Sequence, residues 1–114
     1  GTALGSRVVY TVIDLIEKEN LVDNAAKMGA YIVDQLKQQL VDQNVTVRGF
    51  GLMIGIELPK ACAELVNIAR DEYHLIINVT AGSVVRLLPT LNITQEQADQ
   101  LIARLVKMIK AFLA

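Results

Sequence analysis

One cysteine, one histidine, two prolines and no tryptophan are spread over 114 residues, and several of these shortages exclude a class of protein. Cys62 on its own rules out a disulfide scaffold and any zinc site built from cysteines. His74 stands without a Ser, Cys or second His arranged around it, which speaks against a catalytic triad or a metal centre. Neither sign of charge dominates. With 11 Lys+Arg against 12 Asp+Glu the formal net charge is −1, so no basic surplus is available to neutralise nucleic-acid phosphates. Acidic tails, low-complexity tracts and Pro/Gly/Ser-rich linkers are missing too, which argues against disorder. Charges or turn residues interrupt every apolar run before it could cross a bilayer, and no charged-then-apolar leader opens the chain. The length suits one domain with a modest core.

What is present is hydrophobic. Apolar residues make up 53% of the chain and the mean hydropathy is +0.39, high for a small domain that must cover its own surface. Part of that surface is expected to face another domain or subunit. The chain opens at Gly1 rather than at a methionine, as if cut from something longer, and a fragment is the first expectation.

The periodicity predicts eight elements in the order α-α-β-β-α-β-β-α. Leu4, Val8, Val12, Leu15 and Ile16 form a helical stripe over residues 4–19, widened by Val9 and Ile13, and Glu17-Lys18-Glu19-Asn20 is read as its solvated end. A second helix over 22–43 carries Val22, Ala25, Ala26, Gly29, Ile32, Val33, Leu36 and Leu40. The period then drops to two. Val45 and Val47 alternate with Thr46 and Arg48, a turn at Gly49-Phe50-Gly51 follows, and Leu52, Ile54, Ile56 and Leu58 line one face of a second strand. A short helix over 61–72 and strands at 75–79 and 84–88 around Ala81-Gly82-Ser83 come next. Thr94 and Gln97 form a capping box at the head of a last helix striped by Ala98, Leu101, Ile102, Leu105, Ile109 and Phe112. The fold class implied is α+β, a small, mostly antiparallel sheet with helices packed on it.

Arg86 resists a purely structural reading. It interrupts the apolar strand Val84-Val85-Arg86-Leu87-Leu88 and shares a face with Val84 and Leu88. A guanidinium buried there needs a partner, because an unpaired buried charge costs several kcal/mol or more. The partner is either an internal carboxylate such as Glu57 or the carboxylate of a ligand, which the planar fork of arginine grips with two bonds. Other candidates read as structure. Gly49, Gly51 and Gly55 have neither the spacing nor the helical context of a dinucleotide fingerprint, although Gly55 within a strand marks close approach by a backbone or a ligand. Cys62 reads as a small apolar filler. The Asn-x-Thr triplets at Asn44, Asn78 and Asn92 serve turns and caps. The lysines sit on polar helix faces or element ends. No nucleophile or proton-transfer group is nominated.

Two runs, Arg48 to Leu58 (RGFGLMIGIEL) and Ile77 to Pro89 (INVTAGSVVRLLP), closely resemble the C-terminal small domain of class III pyridoxal-phosphate aminotransferases, nearest to their acetylornithine branch. The opening Gly1-Thr2-Ala3-Leu4-Gly5 is similar to the family's stretch into the linking helix, with Thr2 and Ala3 where Asn-Pro is usual. The resemblance covers essentially the whole chain. It implies a linking helix over 1–20, a small domain over 21–114 of a fold-type I transferase, and a cytoplasmic homodimer in arginine biosynthesis. Such an enzyme moves the δ-amino group of N-acetylornithine to 2-oxoglutarate, or acts on succinylornithine, ornithine or 4-aminobutyrate. It also implies that the lysine, aspartate and threonine that hold pyridoxal phosphate lie in a missing large domain, so that this chain has no catalytic residue and is inert alone. Arg86 matches the arginine that binds the substrate α-carboxylate. The competing expectation is a free-standing carboxylate-binding or dimerisation module.

Overall fold

The computed structural model describes the backbone of residues 3–114 and the side chains from Asn20 onward. The stripe expected over residues 4–19 and the Gly1-Thr2 opening therefore lie outside the described residues. The backbone starts with a single helix, α1 (Ala3–Gln39), in place of the two expected. Glu17-Lys18-Glu19-Asn20 does not break it, because Glu and Lys are good helix formers and no Gly or Pro punctuates the run. The helix ends at Gln39 and a short 3-10 turn over Val41–Gln43 follows, closed by Asn44 at φ 54°. Asparagine tolerates that left-handed conformation better than most residues.

Four strands make one wholly antiparallel sheet in the order β1-β2-β4-β3. β1 (Thr46–Phe50) and β2 (Met53–Glu57) form a hairpin whose two-residue turn is Gly51-Leu52. Gly51, at φ 58°, takes the position that tight hairpins give to glycine. A crossover through α2 (Leu65–Glu72) leads to β3 (Asn78–Thr80) and β4 (Val84–Leu87), both shorter than expected. α3 (Gln95–Leu113) completes the chain. Its capping box forms as expected: the Gln97 amide N–H donates to Thr94 Oγ1 at 3.2 Å, and the Thr94 N–H donates to Gln97 Oε1 at 3.1 Å.

The inner face of the sheet carries Val47, Ile54, Ile56, Val85 and Leu87, and these share one buried cluster with Ile32, Leu36, Leu105 and Ile109 from α1 and α3. Along α1 the buried stripe takes in Met28 and leaves Val22 and Ala26 exposed, so it lies rotated from the one expected. Two glycines let α1 approach the hairpin closely. A Cβ on Gly29 would stand 1.9 Å from the Gly51 carbonyl oxygen, and one on Gly49 would stand 2.5 Å from Val33 Cγ2. Across the molecule, the Asn24 side-chain amide donates to the carbonyls of Leu91 (2.8 Å) and Ile93 (3.0 Å), tying the segment after β4 to α1.

Candidate functional site

With helices on one face of the sheet, the other is open, and strand alternation decides what it shows. β2 turns Ile54 and Ile56 inward and Met53, Gly55 and Glu57 outward. β4 turns Val85 and Leu87 inward and sends Arg86 outward. The register then lines up one row across the four strands: Arg48 opposite Gly55, Gly55 opposite Arg86, Arg86 opposite Asn78.

This corrects the premise of a buried Arg86. The strand is apolar because Val85 and Leu87 enter the core, whereas Arg86 is exposed on the face turned away from it. Glu57 does not pair with it either. Glu57 Oε2 lies 3.7 Å from Nη2 of Arg48, with the two side chains 50% and 77% exposed, a loose surface pair worth at most about 1 kcal/mol. Among the described residues Arg86 has no ion-pair or hydrogen-bond partner.

Arg86 divides two hollows. On one side Met53, Ile76, Asn78 and Leu88 line a pocket of about 540 Å³. On the other, Arg48, Phe50, Gly55, Thr80 and Val84 line one of about 390 Å³. The rim is strongly apolar, with Phe50 87%, Ile76 84% and Leu88 73% exposed. A guanidinium free of partners, ringed by uncovered hydrophobic side chains, can take a carboxylate through two parallel hydrogen bonds, and a cover over the rim would strengthen them by lowering the local dielectric.

The remaining candidates stay structural. Cys62 is fully buried, and its thiol is pushed up from the ordinary value by desolvation first and by the Glu64 charge second, the opposite of an activated nucleophile. His74 follows α2 in a left-handed conformation, φ 54°, while the Leu75 N–H closes the helix end on the Ala69 carbonyl at 2.9 Å. Tyr31 hydroxyl donates to Asp99, and this hydrogen bond holds its ionisation above the usual range. Among the described residues no group of three His, Cys, Asp or Glu converges on a metal position, and no helix is long and apolar enough to cross a membrane.

Sequence reasoning missed Arg48 and Asn78 as companions of Arg86. The alternation around Val47 already sends Arg48 outward, but its place opposite Gly55 depends on a hairpin register that the sequence leaves ambiguous.

Pyridoxal phosphate can be tested directly against this face. Its outward positions hold two arginines, one glutamate and no lysine, and Lys60 is engaged over the Phe112 ring at 4.4 Å from its centroid. This face therefore offers no lysine to hold the cofactor covalently.

The three-helix, four-strand architecture matches part of aminotransferases of solved structure, and the sequence comparisons define the class. The family profile described as Aminotransferase class-III matches residues 1–109. Acetylornithine aminotransferase of Nitrosomonas europaea is 39% identical over 115 residues, covering 99% of this chain and 29% of the relative. Acetylornithine aminotransferase 1 of Bordetella parapertussis is 46% identical over 116 residues, covering 100% and 29%. Among solved structures, the acetylornithine aminotransferase of Elizabethkingia anophelis superposes with a TM-score of 0.76 at 28% identity, over 87% of this chain and 27% of that one. The chain belongs to the class III aminotransferase family, and it spans about three-tenths of the length of these curated relatives.

Proposed function

We propose that these residues are the C-terminal small domain of a longer, homodimeric, pyridoxal-phosphate-dependent aminotransferase that moves the δ-amino group of N-acetylornithine to 2-oxoglutarate, and that the 114 residues are inactive alone. In this reading residues 1–20 lead in from a large domain and residues 21–114 form the small one. The relatives' names support the amino donor, and the share of their length that the chain spans supports a missing domain. The observation that carries the reading is Arg86: a guanidinium with no partner among the described residues, on an uncovered apolar sheet face beside a strand glycine that leaves room for a ligand.

Arg86 binds and orients. Its fork grips the substrate α-carboxylate, fixing the amino end of the molecule relative to the protein. Phe50, Met53, Ile76 and Leu88 bury against the large domain and exclude water around that ion pair, which raises its strength. Amino transfer itself is chemistry that pyridoxal phosphate supplies when bound, and its holding groups belong to residues outside these 114.

Isolation of the native polypeptide with an antibody against this domain tests the reading. A protein several-fold heavier, with cofactor absorbance and transaminase activity, is expected, and Arg86→Gln in it lowers kcat/KM by about thirty-fold or more, the loss for an unpaired ionic partner in a covered site. A colourless polypeptide of only these 114 residues would refute it and leave a free-standing carboxylate-binding module.

A further inference from the structure

Asparagine is a poor helix former, because its short amide competes with the backbone for hydrogen bonds, yet Asn24 sits well inside α1. Its side chain is fully engaged. An amide nitrogen carries two N–H donors, and Nδ2 of Asn24 directs both at one stretch of chain, the carbonyls of Leu91 at 2.8 Å and Ile93 at 3.0 Å. That stretch joins β4, which carries Arg86, to Thr94 at the head of α3. Residues 89–93 belong to no helix or strand. Their local hydrogen bond is a turn, from the Ile93 N–H to the Thr90 carbonyl at 3.0 Å. Among the described residues, Asn24 alone supplies their hydrogen bonds to the rest of the domain. Ile93 is buried, whereas Leu88 on the rim and Leu91 beyond it stand 73% and 51% exposed.

We infer that Asn24 is a positioning residue for the Arg86 site. This rests on the reading of the chain as the small domain of a larger aminotransferase, in which α1 leads in from the large domain and Leu88 seats against it. One side chain of the incoming helix then fixes the height of the segment that leaves the Arg86 strand. Helix and rim meet the large domain as one preset surface, and Arg86 is covered without the rim first having to find its place. Without the two bonds, residues 88–93 sample several positions, only some of which let the cover close. Substrate binding selects the competent fraction, and apparent affinity falls by that fraction. Once the cover is in place the rim is held from the other side, so the rate of amino transfer is unaffected. Tyr31 provides the contrast. Its hydroxyl also joins α1 to α3, through Asp99, but donates to no group of residues 88–93.

The test uses the full-length polypeptide, with N-acetylornithine and 2-oxoglutarate as substrates. Asn24→Ala removes both donors and raises the helix propensity of α1, so folding is retained. It is expected to raise KM for both substrates about fivefold, the fold-change of one net hydrogen bond, and to change kcat less than about twofold. In the same variant without substrate, amide hydrogen exchange of residues 88–93 quickens by about the same factor, and saturating substrate abolishes the difference. Tyr31→Phe lowers the urea midpoint but leaves both KM values within about twofold of wild type. Unchanged KM in Asn24→Ala, or a loss confined to kcat, overturns the positioning role while the Arg86 clamp stands. An equal rise of KM in Tyr31→Phe overturns it too, since it marks a general loosening of α1 on α3. If Arg86→Gln leaves kcat/KM unchanged, the clamp itself has failed and the role of Asn24 with it.

Discussion

Replacing Gly29 by alanine sets two known effects of opposite sign against each other. In an ordinary helix interior alanine is more favourable than glycine by about 1 kcal/mol. Gly29, however, is buried beneath the hairpin turn, where the new Cβ would fall 1.9 Å from the Gly51 carbonyl oxygen and 2.6 Å from its carbon. Those atoms are backbone, so no rotamer change relieves the clash. Either α1 or the turn must move, and overpacking of that kind costs about 1–3 kcal/mol. Rigid backbone on one side and a helix anchored by Ile32 and Leu36 on the other place the cost at the upper end, about 3 kcal/mol, for a net loss of about 2 kcal/mol. For a domain of this size that lowers Tm by about 8 °C. Urea denaturation followed by circular dichroism measures it, with Ala30→Gly on the exposed side of the same helix as reference, expected to lose about 1 kcal/mol by propensity alone. A Gly29→Ala protein more stable than wild type would refute the close helix–hairpin contact.

Two further predictions concern the scaffold. Thr94→Ala removes the Oγ1 that accepts the Gln97 N–H at the head of α3, one of the two bonds of the capping box, and should lower stability by about 1 kcal/mol in the same denaturation assay, whereas Gln95→Ala beside it should cost less than about 0.5 kcal/mol. The raised Cys62 thiol makes stability depend on pH on the alkaline side. Burial favours the neutral thiol, so the folded state holds its proton where the unfolded chain releases it. That contribution is complete below the ordinary thiol value of about 8.5 and is lost as pH rises from there through the raised value of the folded state. Urea midpoints between pH 7 and 10 should therefore fall, with a shallower slope in Cys62→Ala; equal slopes would count against the shift.

The contrast between Gly29, Gly51 and Gly55 shows how far a residue type can be read before the fold is known. Each was legible as a glycine in or near an extended or helical segment. Only packing reveals that one admits a backbone, one supplies a positive φ and one leaves a floor between two cations. Arg86 followed a similar course. Its oddity in an apolar strand marked it as a candidate, but the premise of burial was wrong, since alternation sends it to the bare face.

Hydrophobic periodicity determined the element types, the inward residues of β2, the capped start of α3 and the α+β class, because each of these is set by neighbours within a few positions. The familiar wording of residues 48–58 and 77–89 likewise carried the family. Tertiary structure alone decided that Glu57 leans toward Arg48 rather than Arg86, and that Arg48, Gly55, Arg86 and Asn78 share one row. Those features join residues from strands far apart in the chain. Which of them meet depends on strand order and register, and a shift of one residue in either hairpin would have sent the same side chains to the opposite face.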